Sequence, residues 1–420
     1  MSKGRVHIIG AGLAGLSAAL HASARGGEVI LYEGAQQAGG RCRSYFDKRL
    51  GRQIDNGNHL VLSGNRAVGR YLALADASGS LVAAASATFP FVDLSTDERW
   101  EVAINDGLLP WWTLAPKRRP PGVNLRDIAR GAGLLAAGPT HSVSGAVGAG
   151  GMAERRFWEP MAMAVVNLPP AQASASMLRA TALRAWRDGR LARPMFAPCG
   201  LGPALIDPAL KALEAGGTQI HFGQLLRSLE RGDGRITKLH FAQSDPVTLA
   251  PGDRLILALP PERLAALMPD ITVPQGASAI LNAHFLVDRA ALPEPAPPLL
   301  GIVGGLTQWI FVKGEIISLT VSAADHLEGT DAEEEALLAR LWQETVKALN
   351  LKPDLSFTAA RIVREKRATF LQTPENVARR PAQRTAYDNL FLAGDFVDTG
   401  LPATIEGAVL SGERAAKMVC

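Results

Sequence analysis

The chain has 420 residues, of which 47% are hydrophobic, so it is long enough to bury more than one core. Its 44 Lys and Arg residues against 40 Asp and Glu give a net charge of +4 that is spread along the chain, which argues against nucleic-acid binding. Cys42, Cys199 and Cys420 lie far apart with no C-x-x-C pair, so neither a disulfide framework nor a zinc or other metal site is indicated. No run of about 18 apolar residues is present and the charged start leaves no room for a signal peptide, so we expect no membrane span and a reducing compartment.

The first predicted elements are a strand at residues 6–9, a glycine-rich turn and a helix. The turn has the pattern G-x-G-x-x-G: Gly10 permits the tight turn, Gly12 lets the backbone approach a pyrophosphate, and Gly15 lets the helix pack on the strand. A second strand at 28–32 leads to Glu33, at the distance where a carboxylate meets the ribose hydroxyls of an adenine dinucleotide. Because Glu33 would repel the 2′-phosphate of NADP, the pattern predicts FAD or NAD.

Later segments favour FAD over NAD. Residues 39–41 put two glycines beside an arginine, which suits a chain that passes close to a diphosphate and supplies a fixed cation. Residues 55–59 form another polar turn with a glycine. A strand at 390–393 is followed by Gly394 and Asp395, whose carboxylate can accept a hydrogen bond from a sugar-alcohol hydroxyl. Residues 404–407 then open a final helix over 408–418, whose N-terminal end can stabilise negative charge on a reduced flavin.

In this order of motifs the chain resembles the superfamily of FAD enzymes that includes amine oxidases, protoporphyrinogen oxidase and phytoene desaturases. A narrower resemblance rests on residues 55–59, 157–175 and 398–408. These segments are similar to the bacterial squalene-associated FAD-dependent desaturases, now understood as hydroxysqualene dehydroxylases.

The resemblance implies an α/β fold: a dinucleotide-binding, Rossmann-like FAD domain of the glutathione-reductase type with an inserted α+β substrate domain like that of amine oxidases. We expect the FAD domain to comprise residues 1–70, 197–268 and 381–420, and the substrate domain to comprise 71–196 and 269–380. The segment 71–196 is expected to be helical. The segment 269–380 is expected to contain strands at 279–287 and 309–321 and a helix at 332–349.

The resemblance also implies the residues of a non-covalent FAD site, including a strand near residue 226 whose backbone holds the adenine. The expected cofactor-binding residues are Gly10, Gly12, Leu13, Ala14, Gly15, Glu33, Gly40, Arg41, Gly57, Asn58, His59, Leu226, Gly394, Asp395, Thr404 and Ile405.

Dehydroxylation of an allylic alcohol needs an acid, because hydroxide is a poor leaving group. His59 is the first candidate, since it lies in the polar turn that the superfamily places near the flavin and since imidazole titrates near neutral pH. Hydrogen bonding to flavin or backbone is the alternative role for His59. Asp398 is the second candidate, with a structural cap as its alternative role.

Two other functions remain open at this stage. One is an enzyme that runs in the oxidising direction, either a polyene desaturase of the phytoene type or a flavin amine oxidase. Amine oxidases of the superfamily line the flavin with two aromatic residues and a lysine, for which Tyr387, Phe396 and Lys313 are the nearest matches. The other is a non-catalytic isoprenoid-binding protein like the Rab dissociation inhibitors, against which the intact flavin motifs argue.

The resemblance implies a long-chain isoprenoid substrate and functional coupling to other enzymes of squalene and hopanoid synthesis. No second G-x-G-x-x-G follows a strand, so the electron donor stays open between NADPH and a separate reductase. Trp111 and Trp112 lie close to Lys117, Arg118 and Arg119, which is typical of a membrane interface, although core tryptophans beside a solvated basic loop would look the same. We therefore expect a cytoplasmic protein in peripheral contact with the inner face of the membrane.

Overall fold

The computed structural model describes residues 4–185, 188–327 and 331–420. Within these residues the strands are β1 Val6–Ile9, β2 Val29–Tyr32, β3 Ser44–Asp47, β4 Arg52–Asp55, β5 Val61–Leu62, β6 Val82–Ala83, β7 Ala87–Asp93, β8 Arg99–Ile104, β9 Pro194–Phe196, β10 Gln219–His221, β11 Leu226–Gly232, β12 Arg235–Phe241, β13 Val247–Thr248, β14 Arg254–Leu257, β15 Ala277–Leu286, β16 Leu299–Val303, β17 Trp309–Lys313, β18 Ile316–Val321, β19 Ala359–Phe370 and β20 Leu390–Leu392. The helices are α1 Leu13–Ser23, α2 Arg66–Leu74, α3 Leu125–Ala136, α4 Val143–Val147, α5 Gly151–Ala153, α6 Glu159–Val166, α7 Ala175–Ala185, α8 Gly189–Ala192, α9 Asp207–Ala215, α10 Pro261–Leu267, α11 Asp331–Leu349, α12 Pro374–Val377 and α13 Ile405–Val419.

A parallel five-stranded sheet with the order β10-β2-β1-β14-β20 joins three distant parts of the chain. Its central strand, β1, is buried along its whole length, and His7 is the one polar residue in it. Helices α1, α2, α9 and α13 contribute to the core on one face, and the antiparallel sheet β11-β12-β13 with α10 contributes to the core on the other. The carboxyl ends of the parallel strands therefore meet at one edge, which is where such sheets bind dinucleotides.

The second large sheet has seven strands in the order β19-β15-β18-β17-β16-β7-β8. Strand β15 shows how its two faces differ. Leu281, Ala283 and Phe285 belong to the apolar core that α11 covers. Asn282 and His284 alternate with them and are also buried, on the opposite face. The polar residues of this second face are available to the site described below.

The expectation that residues 71–196 are helical is only partly right. Strands β7 and β8 lie in this segment and form one edge of the seven-stranded sheet. Strand β8 reads Arg-Trp-Glu-Val-Ala-Ile and shows the exposed–buried alternation of an edge strand. Pro90 interrupts the apolar sequence of β7, yet it sits in register with Glu101 of β8. The pairing of β7 with β16 begins at Phe91, the residue after Pro90. A proline weakens the sequence pattern of a strand, but it is tolerated where one side of the strand is unpaired.

The predicted division into FAD and substrate domains remains a prediction. Helix α2 crosses the expected boundary at residue 70 and packs against α1 and α13. The small sheet β5-β9-β6 also combines residues from both sides of that boundary. Throughout the described parts of the chain, each helix falls short of the combined length and apolarity that crossing a bilayer requires.

Candidate active site

The glycine turn after β1 has the shape of a phosphate cradle. Gly10 has φ of +104°, and a Cβ there would lie 2.5 Å from the carbonyl oxygen of Ala258, so only glycine fits. At Gly12, by contrast, no atom of the described residues lies within 4 Å of the Cβ position. Gly12 is also the N-cap of α1, so the first backbone N–H groups of the helix, at Leu13 and Ala14, point towards this open space. The turn therefore fits a diphosphate.

Glu33 holds the same turn from the end of β2. One carboxylate oxygen accepts a hydrogen bond from the Ala11 N–H at 2.7 Å, and the other accepts from the Ala35 N–H at 2.8 Å. A carboxylate oxygen can accept more than one hydrogen bond, so this geometry leaves acceptor capacity for ribose hydroxyls. The chain returns to this point before β11, where Leu225 Cδ1 lies 3.2 Å from the Cβ position of Gly34. Leu226, expected near the adenine, begins β11 with a buried side chain.

Arg41 and Asp395 meet although they are 354 residues apart in sequence. The Arg41 guanidinium donates two hydrogen bonds of 2.8 Å to the two carboxylate oxygens of Asp395. The Asp395 carboxylate raises the pKa of Arg41, which fixes a cation beside the carboxyl edge of the parallel sheet. The preceding Gly394 has φ of +152°, and a Cβ there would lie 2.6 Å from the Phe396 ring. The two motifs that sequence placed at opposite ends of the chain thus form one cluster.

Arg380 stabilises this cluster and was not anticipated from the sequence. Its buried guanidinium donates to the backbone carbonyl oxygens of Asp395, Phe396, Val397 and Leu401. A single side chain therefore fixes the loop that presents Asp395 and leads to the last helix. An arginine before a turn carries no distinctive sequence pattern, so only the folded chain reveals this role.

The last helix begins at Ile405, three residues earlier than predicted. Thr404 is its N-cap, and the Thr404 hydroxyl accepts a hydrogen bond from the Gly407 N–H at 3.2 Å. Glu406 is buried, and its two carboxylate oxygens accept from the N–H groups of Ala67 and Val68, each at 3.0 Å. The helix that would face the flavin is therefore tied directly to the start of α2.

The polar turn at residues 55–59 packs against the polar face of the seven-stranded sheet. The Asn58 amide nitrogen lies 3.3 Å from Asn282 Oδ1 and 3.1 Å from Thr320 Oγ1. A Cβ on Gly57 would lie 3.4 Å from the amide nitrogen of Asn282. The turn thus bridges the dinucleotide-binding unit and the strands β15 and β18.

Asp55, at the start of this turn, forms an ion pair with Lys313 of β17. Lys313 Nζ lies 2.8 Å from Asp55 Oδ2, while Asp55 Oδ1 accepts from the Ser44 hydroxyl at 2.6 Å and the Leu201 N–H at 2.8 Å. Burial acts to raise the pKa of Asp55, but the ammonium of Lys313 and these hydrogen bonds together hold it below its ordinary value. Asp55 is therefore ionised, with both oxygens engaged.

A cavity opens beside this ion pair, with polar groups on one side and apolar groups on the other. Its polar lining residues are Asp55, Asn58, His59 and Lys313, and its apolar lining residues are Val61, Leu81, Met195, Phe196, Ala197, Leu201 and Phe311. The free volume is about 20 Å³, so the cavity has room for a group the size of a hydroxyl or a water beside these polar side chains. Sequence reasoning found His59 and Asn58 but did not identify the wall formed by β5, β9 and β17.

The two residues expected to supply the acid differ in position. His59 lines the cavity, but burial lowers its pKa, which favours neutral imidazole. Asp398 is exposed, and its carboxylate accepts a hydrogen bond from the Gly400 N–H at 3.0 Å. This is the geometry of a side chain that stabilises a turn, as its alternative role required.

The three residues that were matched to the flavin-lining set of amine oxidases do not lie together. Tyr387 donates its hydroxyl to Asp270 at 3.0 Å, on an exposed part of the surface, whereas Phe396 is buried in a core. Lys313 faces the cavity but is bound to Asp55. The set of two aromatic residues and a lysine is therefore not assembled by these three side chains.

Residues 13–420 match the family described as flavin containing amine oxidoreductases, and the chain belongs to that family. Cyclohexylamine oxidase from Brevibacterium oxydans has a similar fold, with a TM-score of 0.71 and 14% identity over 99% of this chain and 98% of that one. Within the family the sequence is 42% identical to the hydroxysqualene dehydroxylase of Sinorhizobium fredii, over 98% of this chain and 97% of the relative. It is 41% identical to that of Rhodopseudomonas palustris over 100% of this chain and 99% of the relative. The chain is thus a flavin-dependent oxidoreductase that belongs to the hydroxysqualene dehydroxylases, as the sequence motifs indicated.

Proposed function

We propose that the chain binds FAD non-covalently and removes the allylic hydroxyl of hydroxysqualene reductively, giving squalene for squalene and hopanoid synthesis. The observation that carries the proposal is similarity at 41–42% identity to two hydroxysqualene dehydroxylases over nearly the whole of each chain. The open cradle at Gly12, the carboxylate of Glu33 and the Arg41–Asp395 pair support FAD as the cofactor.

The reaction requires hydride at carbon, a proton on the departing oxygen and a dry, apolar site. Reduced FAD supplies the hydride when it is bound. The protein supplies a polar corner at Asp55, Asn58, His59 and Lys313 for the hydroxyl, with Phe196 and Phe311 beside it. The barrier is lower when the hydroxyl leaves as water instead of hydroxide, so a proton donor in this corner would assist the reaction.

The direction of electron flow tests the proposal. Enzyme photoreduced without oxygen should regain the absorption of oxidised FAD when hydroxysqualene is added, and mass spectrometry should detect squalene in the same sample. An oxidising polyene desaturase or amine oxidase would instead lose the absorption of oxidised flavin when given phytoene or an amine. Failure of hydroxysqualene to reoxidise the flavin, in enzyme that dioxygen still reoxidises, would overturn the proposed reaction.

Each turnover requires an electron donor that reduces the flavin again. We propose that reducing equivalents come from NADPH, either directly or through a reductase that acts with other enzymes of squalene synthesis. Anaerobic mixing of NADPH with oxidised enzyme distinguishes the two routes. Direct transfer requires bleaching of the flavin by NADPH alone, whereas the indirect route requires a reductase fraction.

We also propose that the protein contacts the inner face of the cytoplasmic membrane through residues 108–135. We call the following exposed or half-buried residues the apolar–basic surface, of which Arg118 and Arg119 are the half-buried ones: Leu108, Leu109, Trp111, Leu114, Lys117, Arg118, Arg119, Leu125 and Leu135. Leu109 is 78% exposed and Trp111 is 48% exposed, whereas Trp112, which we expected at the interface as well, is buried in the core. Apolar side chains next to cations favour an interface with anionic lipid.

Cosedimentation with vesicles tests this surface in two ways. Neutralising Lys117, Arg118 and Arg119 should reduce binding to anionic vesicles and leave binding to neutral ones unchanged. Replacing Leu109 and Leu114 with aspartate should reduce binding to both. Met418→Asp changes an exposed apolar residue of α13 and is the matched control. Equal sedimentation of all variants would remove this surface from the proposal.

A further inference from the structure

The cavity contains several polar groups, but they differ in whether they can release a proton. The Asn58 side chain is an amide and has no acidic proton. Asp55 is held ionised by Lys313, Ser44 and the Leu201 N–H, so it has no proton to give. Burial favours neutral imidazole at His59. Within the described parts of the chain, Lys313 is the one cationic residue that lines this cavity, and its ammonium is paired with the Asp55 carboxylate.

The geometry of Lys313 suits donation into the cavity. One N–H of its ammonium group is directed at Asp55 Oδ2, 2.8 Å away, and an ammonium group has three donors. The Lys313 side chain is 34% exposed whereas that of Asp55 is 6% exposed, so the ammonium reaches the open side of the pair. Phe311, two residues earlier on the same face of β17, also lines the cavity and belongs to the apolar core behind it.

We propose that Lys313 is the catalytic acid that protonates the departing hydroxyl, and that Asp55 is a positioning residue that orients its ammonium group. This inference rests on the proposed dehydroxylation. It replaces His59 and Asp398 as the source of the proton and leaves His59 as a residue that lines the site.

Removal of the hydroxyl is a two-electron reduction of the allylic carbon. The carbon–oxygen bond of the allylic alcohol breaks, and its electron pair goes to oxygen, which takes a proton from Lys313 Nζ and leaves as water. Reduced FAD, when bound, would supply the hydride that this carbon accepts, so the carbon would be reduced by two electrons and the flavin oxidised by two. Lys313 is left as a neutral amine and regains a proton from solvent before the next turnover.

Charged and titratable groups approach Lys313 from every element around it. Asp55 and His59 belong to the turn after β4, and His284 lies on β15 and senses the charges of Asp55, Lys313 and Asp47. The Arg52–Glu315 pair lies at the neighbouring β17–β18 turn. Among these, the Asp55 carboxylate is in direct contact with the ammonium, so its removal takes away the group that orients the ammonium.

Two substitutions separate proton donation from charge. Lys313→Gln keeps a hydrogen-bond donor for Asp55 but has no acidic proton, and Lys313→Arg keeps the positive charge but does not deprotonate in proteins. Both should slow reoxidation of photoreduced enzyme by hydroxysqualene by about 10²–10⁴-fold, the range for a lost general acid. FAD content, reoxidation by dioxygen and the spectral titration of oxidised enzyme with hydroxysqualene should stay close to native values. Lys352→Gln, an exposed lysine in the loop after α11, is the matched control.

Asp55→Asn tests the positioning role by separating rate from binding. The limiting rate of reoxidation should fall in this variant while half-saturation by hydroxysqualene stays near the native value, and Asp55→Glu, which keeps the carboxylate, should recover part of the rate; loss of packing alone would not give this pattern. Recovery of the native rate in Lys313→Arg would show that charge suffices and would overturn proton donation, as would an unchanged rate in Lys313→Gln. If native enzyme itself ignores hydroxysqualene, the proposed function fails, and the role of Lys313 fails with it. The proposal is also contradicted if Lys313→Gln loses FAD while Lys313→Arg keeps both its FAD and the native rate.

Discussion

Gly412 of α13 provides a sharp test of how the last helix supports the cofactor site. A Cβ at this position would lie 2.1 Å from the carbonyl oxygen of Ala14 and 2.8 Å from the backbone nitrogen of Ala18, both in α1. These atoms belong to a helix backbone, so no side-chain rotation can relieve the contact. Ala14 lies in the first turn of α1, beside the predicted phosphate cradle. Gly412→Ala should therefore disturb both packing and FAD binding.

The magnitude follows from the distances. Bringing the Ala14 contact from 2.1 Å to about 3.4 Å separates the helices by ~1.3 Å, close to the largest shift that a packed core absorbs. Overpacking of this kind costs about 3 kcal/mol at the upper end, and the higher helix propensity of alanine recovers about 1 kcal/mol. The net loss of about 2 kcal/mol corresponds to roughly 30-fold in an equilibrium constant if it is expressed in FAD affinity.

Gly69→Ala in α2 is the matched control, because no atom of the described residues lies within 4 Å of its Cβ position and its side is exposed. This variant should be neutral or more stable by up to about 1 kcal/mol. Thermal release of FAD, followed by flavin fluorescence, and the FAD dissociation constant measure both variants without assuming a two-state transition. The reasoning is refuted if Gly412→Ala releases FAD at the native temperature and binds it as tightly as the native protein.

Three further predictions concern the cofactor, the loop at its edge and the effect of pH. Gly12→Val should give colourless protein because its side chain fills the diphosphate path, whereas Gly79→Val, at an equally open but exposed position, should keep stoichiometric FAD in the absorption spectrum. Arg380→Met should lower the free energy of unfolding by on the order of 3 kcal/mol and reduce FAD retention, because the backbone carbonyls of four residues lose a charged donor. The melting temperature of Arg380→Lys should lie between those of Arg380→Met and the native protein. Equal melting temperatures would contradict this prediction. Burial lowers the pKa of His284 to about 4, whereas the pKa of a histidine in the unfolded chain is near 6.5. Between these two pH values the unfolded chain takes up a proton that the folded chain does not bind. The free energy of unfolding should therefore fall as the pH drops from 6.5 towards 4. His284→Gln should reduce the fall in urea midpoint between pH 7 and pH 5, and an identical fall in both proteins would exclude this contribution.

The FAD-domain motifs were predictable from sequence because each depends on local geometry. The strand, turn and helix of the first motif are adjacent in the chain, so their pattern is visible without the fold. Only glycine fits the turn at Gly10, and the helix packs closely at Gly15. Glu33 follows at a distance fixed by one helix and one strand. Strands β7 and β8 were missed for the opposite reason: Pro90 disturbs the pattern of β7, and the pairing of β7 with β16 joins distant parts of the chain.

The contacts that define the cavity could not be predicted in this way. Asp55 and Lys313 are 258 residues apart, and neither belongs to a motif that specifies its partner. An aspartate before an Asn-Gly turn and a lysine at the end of a strand are each common surface residues. Their pairing depends on the register of β17 in the seven-stranded sheet and on how the turn at residues 55–59 packs against β15 and β18.

The same difference separates His59, the acid expected from sequence, from Lys313, the acid proposed from the structure. His59 attracts notice because imidazole has a convenient pKa in water, yet the same turn that brings it to the cavity also buries it and lowers that pKa. Sequence suggested Lys313 only as the nearest match to the lysine of amine oxidases, because a lysine is normally an exposed cation. Folding reverses the two expectations: it removes solvent from the imidazole and gives the ammonium a fixed carboxylate partner. A proton donor in an apolar cavity is thus chosen by which cation keeps its counterion there, and that choice is made by tertiary packing.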